Sequence, residues 1–166
     1  MRRLFTFPNP VNEISARLVA GGIVVFTLAI LLTGQTWLVA VLFYGFLARV
    51  LTGPKLSPLG QFVTRVVTPR LPYPEKLVAG PPKRFAQGMG ATMSGLAVLA
   101  YYGFGAVGLA QILVGMITVA ATFESVFAYC FGCKVFGLLM KAGIIPESVC
   151  EECNNLALRR SDPVSV

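Results

Sequence analysis

The sequence predicts an all-α membrane protein: four transmembrane helices in two hairpins with both termini cytoplasmic, an interfacial amphipathic helix in the central loop, and a C-terminal cytoplasmic helical hairpin. Three observations predict it. Hydrophobic residues make up 55% of the 166 residues and charged ones only 13%, whereas a domain that covers itself against water carries about 25% charge. The apolar residues fall into four runs, each close to the ~20 residues that cross a bilayer as a helix. Basic residues gather at one set of run ends and avoid the other, which sets the side that faces the cytoplasm.

The first run covers residues 16–33, ARLVAGGIVVFTLAILLT. Met1-Arg2-Arg3 ahead of it looks like the start of a secretory signal. The stretch is too long for one, however, and Gly34-Gln35-Thr36 offers no small-residue cleavage site, so it reads as a span. The second run, 36–50, follows an uncharged Gly34-Gln35 break, and its end turns can lie in the interface. The third, about 85–102, holds Ala86, Gly88, Gly90, Thr92 and Ser94, whose spacing allows close helix contact in lipid. After Gly103-Phe104-Gly105 the fourth begins near Ala106 and runs past Tyr129.

Arg2, Arg3 and Arg17 flank the first span, and Arg65, Arg70, Lys76, Lys83 and Arg84 lie between the second and third. Lys134, Lys141, Arg159 and Arg160 follow the fourth, and the two outer turns carry no charge. Both termini and the central loop are therefore expected inside. The domain layout is a cytoplasmic segment 1–15, a transmembrane domain 16–142 with its loop 53–84, and a tail 143–166. The two hairpins share one plan, which reads as a weak internal repeat or as the ordinary layout of any four-span bundle.

The central loop holds seven of the eleven prolines. Within it, SPLGQFVTRVVTPR predicts a short helix capped by Ser57 with Pro58 at its first position. Leu59, Phe62, Val63, Val66 and Val67 share its apolar face. Arg65, Lys83 and Arg84 read as membrane-surface anchors, the first on this helix and the others at the entry to span three.

The net charge of +7 does not indicate nucleic acid, because the basic residues are separated by long apolar runs rather than gathered in a stripe. The chain has no histidine, so cysteine and glutamate are the candidate reactive side chains. All four cysteines form C-x2-C-x16-C-x2-C at Cys130, Cys133, Cys150 and Cys153, a spacing within the range of four-thiolate zinc sites. A fourth span continuing helically to Lys141, a turn at Gly143 and a second helix from Pro146 would place both pairs ~15 Å from the turn on facing arms. The site then suits Zn²⁺ or a single Fe. The same thiols could instead cycle with disulfides or relay sulfur, with inert packing as the plain alternative. A cytoplasmic location and Glu151 and Glu152 favour metal; Lys134 beside Cys133 favours redox. Glu124, six residues before Cys130 on the expected helix, is read as off the cysteine face and as half of a buried ion pair with Arg49, or else with Arg17. A proton-relay role is the sharper reading of Glu124.

NPVNEISARLVAG, GPKLSP after the arginine-ended second span, GPPKRFAQGMG and FESVFAYCFGCKVFGLL together resemble the bacterial domain-of-unknown-function family 4395, over roughly residues 8–153. The resemblance implies a small integral protein of the bacterial inner membrane with no assigned activity. It also implies thioredoxin-like or rhodanese-like partners, since members occur beside or fused to such domains; for this chain the partner is expected to be separate. The expected function is an accessory or scaffold protein of the lipid bilayer with a metal-binding four-cysteine centre at its cytoplasmic face, and its expected partner is a soluble thioredoxin-like or rhodanese-like protein or a larger membrane complex. The alternative is a thiol–disulfide or sulfur-relay component. A small transporter is disfavoured, because Glu124 is the one acid inside the expected spans.

Overall fold

The computed structural model describes residues 11–72 and 76–145. Asn12 opens the first helix by accepting a hydrogen bond from the Ile14 amide at 3.0 Å, as short polar side chains do at helix starts. Helix α1 (Glu13–Thr33) therefore begins before the apolar run. It ends at Gly34, whose left-handed backbone lets its amide reach the Ile30 carbonyl at 2.9 Å. Helix α2 (Trp37–Thr52) returns. After a tight turn at Gly53–Lys55, Ser57 caps α3 (Pro58–Phe62) by accepting from the Gly60 amide at 3.3 Å, with Pro58 first in the helix, as the sequence predicts.

Helix α3 continues through a wide π turn, Val63–Val67, and a 3-10 turn, Thr68–Arg70. This segment packs onto the bundle, with Val63 buried and Leu59 lying over Gly22 of α1. Two short antiparallel strands, β1 (Val11–Asn12) and β2 (Leu77–Val78), then join the end of the central loop to the start of α1. A Lys76–Glu13 salt bridge of 2.6 Å reinforces that junction. Helices α4 (Gly80–Val98), α5 (Val107–Phe127) and α6 (Phe131–Lys141) complete the described chain.

Three helical stretches, Glu13–Thr33, Trp37–Arg70 and Val107–Phe127, are long and apolar enough to cross a membrane. Leu32 and Ile112 on their outer faces are 84% and 62% exposed, an apolar surface suited to lipid rather than water. Helix α4 carries more small residues and packs against α2, α5 and α6. A Cβ at Gly90 would come within 2.3 Å of the Phe46 ring of α2, and one at Gly95 within 3.0 Å of Phe43. The small side chains of this helix thus serve close packing, while Gly88 faces open space.

The dominant packing pairs are α1 with α5 and α2 with α4, not the sequential partners α1 and α2. Exchanging the two hairpins maps one pair onto the other, and α3 on α1 corresponds to α6 on α4. An arginine clamp recurs in the same register. Arg17 of α1 donates from Nε to the Ser125 carbonyl at 3.1 Å, and Arg84 of α4 donates from Nε to the Val50 carbonyl at 3.0 Å. Each carbonyl lies two residues before the end of its helix, where unpaired carbonyls favour a cation. In this arrangement Ser57, the cap of α3, corresponds to Cys130, the cap of α6.

Candidate functional site: a cysteine pair at a helix start

The fourth span does not run on through the cysteines, as the sequence suggested. Helix α5 stops at Phe127, and Ala128 takes a left-handed backbone (φ 56°), which costs a non-glycine residue about 1–2 kcal/mol. Arg17 holds the break in place: besides its bond to Ser125 it donates from Nη2 to the Val126 carbonyl at 3.0 Å. Its role is to cap α5, not to pair with Glu124. The chain restarts at Cys130, whose extended backbone makes it the N-cap of α6, with Cys133 third in that helix. Both are free thiols, Cys130 buried and Cys133 half-buried.

This placement changes the chemistry of the pair. A sulfur at a helix start faces unpaired amides and the positive end of the helix dipole, which favour thiolate. The Cys133 thiol hydrogen-bonds to the Cys130 sulfur, and this holds Cys130 below the ordinary thiol range; burial and Glu124 oppose the effect, and Lys83 assists it. The Cys133 amide also points toward that sulfur, without the geometry of a full capping bond. The shared hydrogen bond, with burial, pushes Cys133 above the ordinary range. Of the two thiols, Cys130 is thus the one that ionises more readily.

Glu124 is paired with Lys83 at 2.6 Å, their side chains only 16% and 11% exposed. That corrects two expectations. Arg49 is not the carboxylate's contact partner; its Nε donates to Gln87 Oε1 at 2.9 Å and its Nη1 to Ser57 Oγ at 3.4 Å. Nor is Lys83 a surface anchor. Glu124 lies near the end of α5 and Lys83 near the start of antiparallel α4, so they meet at one depth, and α4 stands between α5 and α2. Arg84 is exposed but clamps α2, and Arg65 is exposed on the π turn.

The break also brings Glu124 to the cysteines, from which a continuous helix would have turned it away. Glu124 and Cys130 line one cavity of about 90 Å³. On the other side Cys130, Cys133, Lys83 and Lys134 line a cavity of about 310 Å³, walled by Glu13 and Tyr129. The cation that acts on the sulfurs is Lys83, while the Lys134 ammonium lies 5.6 Å from the Tyr129 ring centre. The reading of Lys83 as a surface anchor overlooked one signal: a lysine opening span three stands level with an acid closing span four.

Helix α6 ends at Lys141, and Gly143 takes the left-handed conformation just beyond it, as the sequence predicts. Cys150, Cys153 and the helix expected from Pro146 lie outside the described residues. Among the described residues, no group of three or more cysteine, aspartate or glutamate side chains is gathered in a way that could hold a metal ion. A Zn or Fe site would therefore need the second pair.

These features define a helical protein with three helical stretches long and apolar enough to cross a membrane and a cysteine pair at a helix start, backed by a buried ion pair. The chain belongs to the family described as a domain of unknown function, DUF4395, whose model matches residues 11–141. No curated protein and no solved structure matches it.

Proposed function

We propose that the protein is a thiol–disulfide exchange component of the bacterial inner membrane, with Cys130 as its nucleophile and Cys133 as its resolving thiol. The observation that carries this is the cysteine pair at the start of α6, Cys130 at the cap and Cys133 third in the helix, beside Lys83 and a cavity open to a partner. The Cys130 thiolate attacks one sulfur of a disulfide in a soluble thioredoxin-like protein. A Cys130–partner S–S bond forms, the partner's S–S bond breaks, and the leaving thiolate takes up a proton. Cys133 then gives its proton to solvent or to Glu124 and attacks the Cys130 sulfur. The Cys130–Cys133 disulfide forms, and the partner departs as a dithiol carrying two electrons. The C-terminal pair, Cys150 and Cys153, is the candidate reductant that resets the site.

The test is trapping in cells and in detergent. Cys133→Ser should accumulate a mixed disulfide through Cys130, lost on reduction, whereas Cys130→Ser should accumulate none. Equal trapping by both variants, or by neither, would overturn the assignment. Alkylation of Cys130 in Cys133→Ser is not the right pH probe, since the substitution changes the shared hydrogen bond. In the Cys150→Ser/Cys153→Ser protein, with the first pair intact, a single thiol should react with iodoacetamide. Its rate should rise with pH around a midpoint below that of a free thiol, because the thiolate is the reacting form and its protonation is disfavoured. A midpoint at or above the free-thiol value would remove the argument for Cys130.

The second reading is a metal centre made by all four cysteines within an accessory or scaffold protein. It is favoured by the left-handed Gly143, which ends α6 where a returning arm would need to begin. About one Zn or Fe per chain, lost in both Cys130→Ser and Cys153→Ser, would carry this reading against the first. Both readings place α4 across the bilayer as a fourth span, with the termini, central loop and cysteines on the cytoplasmic side. A membrane-impermeant maleimide should then label the cysteines in inverted vesicles and not in intact spheroplasts, and the reverse result would invert the topology.

A further inference from the structure

Arg49, relieved of the ion pair the sequence suggested, has no carboxylate contact among the described residues. It is 6% exposed. Its Nε and Nη1 bond to the neutral side chains of Gln87 and Ser57, the guanidinium carbon lies 4.6 Å from the Phe46 ring centre, and its Nη2 has no hydrogen-bond partner among the described residues. A buried guanidinium served only by neutral acceptors is costly unless another negative group completes it. Beside it lies a cavity of about 300 Å³, the size of a small-ligand site. Among the described residues, no acidic one lines that cavity. Its polar wall comprises Arg49, Gln87, Asn12, and the hydroxyls of Ser15, Thr64 and Thr68. The Lys83 ammonium also reaches it, but its charge is matched by Glu124. The cavity is therefore lined by two cations, Arg49 and Lys83, that share the single carboxylate of Glu124, which leaves one net positive charge among several hydrogen-bonding groups and otherwise apolar walls.

We propose that the Arg49 cavity binds a single oxyanion of the phosphate class, held by the guanidinium fork. Planar paired donors match two oxygens of such a group, and the charge-assisted bonds are strong where water is excluded. Arg49 lies three residues from the end of α2, so a phospholipid headgroup and a free oxyanion are both chemically suitable sources. The site does not depend on the cysteine chemistry, and a Cys130→Ser/Cys133→Ser protein should bind in the same way.

The experiment uses the full chain purified in a non-ionic detergent. Thermal unfolding is followed with inorganic phosphate against chloride at equal ionic strength, and bound phospholipid is counted by native mass spectrometry. A free-oxyanion site predicts a saturable rise in Tm with phosphate, roughly 5–10 °C at about a hundredfold excess over Kd. A headgroup site predicts about one phospholipid retained per chain, with phosphate competing for its place. Arg49→Gln should abolish whichever effect the wild type shows, and Arg49→Lys, which keeps the charge but loses the fork, should weaken it. If Arg49→Gln does not fold, the wild-type titration and Arg49→Lys still decide. A wild type with no phosphate-specific shift and no retained phospholipid overturns the proposal, as does an effect unchanged in Arg49→Lys and Arg49→Gln.

Discussion

Glu124→Leu should destabilise the protein by about 3–5 kcal/mol, and Lys83→Met by a similar amount, because each leaves its partner's charge buried and unpaired. The 2.6 Å pair is shielded on both sides, which separates it from surface ion pairs worth well under that. The double variant Lys83→Met/Glu124→Leu should lose far less than the sum of the singles, since no orphan charge is left. Reversible unfolding in mixed micelles measures all three. Single losses below about 1 kcal/mol, or simple additivity, would show that the pair is solvated and does not organise the site. The double variant should keep selective Cys130 reactivity, because Glu124, which opposes the thiolate, and Lys83, which assists it, leave together while Cys133 stays beside the sulfur.

Gly132→Val should lift α6 from α4 and expose both cysteines. A Cβ at Gly132 would lie 2.5 Å from both Cα and Cβ of Ala86, and backbone at that range cannot move aside as a side-chain tip can. Overpacking of this kind costs about 1–3 kcal/mol. Its larger effect is local: Cys133 should become fast to alkylate as its hydrogen bond to Cys130 is lost. Gly137→Ala in the same helix is the control, because nothing lies within 4 Å of its added Cβ. That change should be neutral or stabilise by up to about 1 kcal/mol through helix propensity. Wild-type alkylation rates in Gly132→Val would mean that α6 is not held on Ala86. The glycine inside Cys130-Phe131-Gly132-Cys133 is thus explained by helix contact, with no role required in the chemistry.

The site was partly legible from the residues. Cys130 and Cys133 stand out as a C-x-x-C in a chain without histidine, and Glu124 stands out as an acid within an apolar run. Their mutual relation was not legible, because counting along one helix placed Glu124 away from the sulfurs. The break at Ala128 that reunites them has no glycine or proline to announce it. It is held by Arg17, 108 residues from Ser125 in sequence.

The sequence by itself determined the helices and most of their ends. Apolar runs set the spans, and Asn12, Gly34, Ser57, Pro58 and Gly143 set boundaries through bonds made within a few residues. Such bonds depend on local backbone geometry, so they can be read locally. Only the tertiary structure decided which helices are neighbours, and with that the Lys83–Glu124 pair, the neutral partners of Arg49 and the seat of α6 on Ala86. Apolar matching fixes how deep each residue sits, but Arg49 and Lys83 both stand near the level of Glu124. The choice between them fell to helix order around the bundle, which is set by how closely small residues such as Gly90 let particular helices approach.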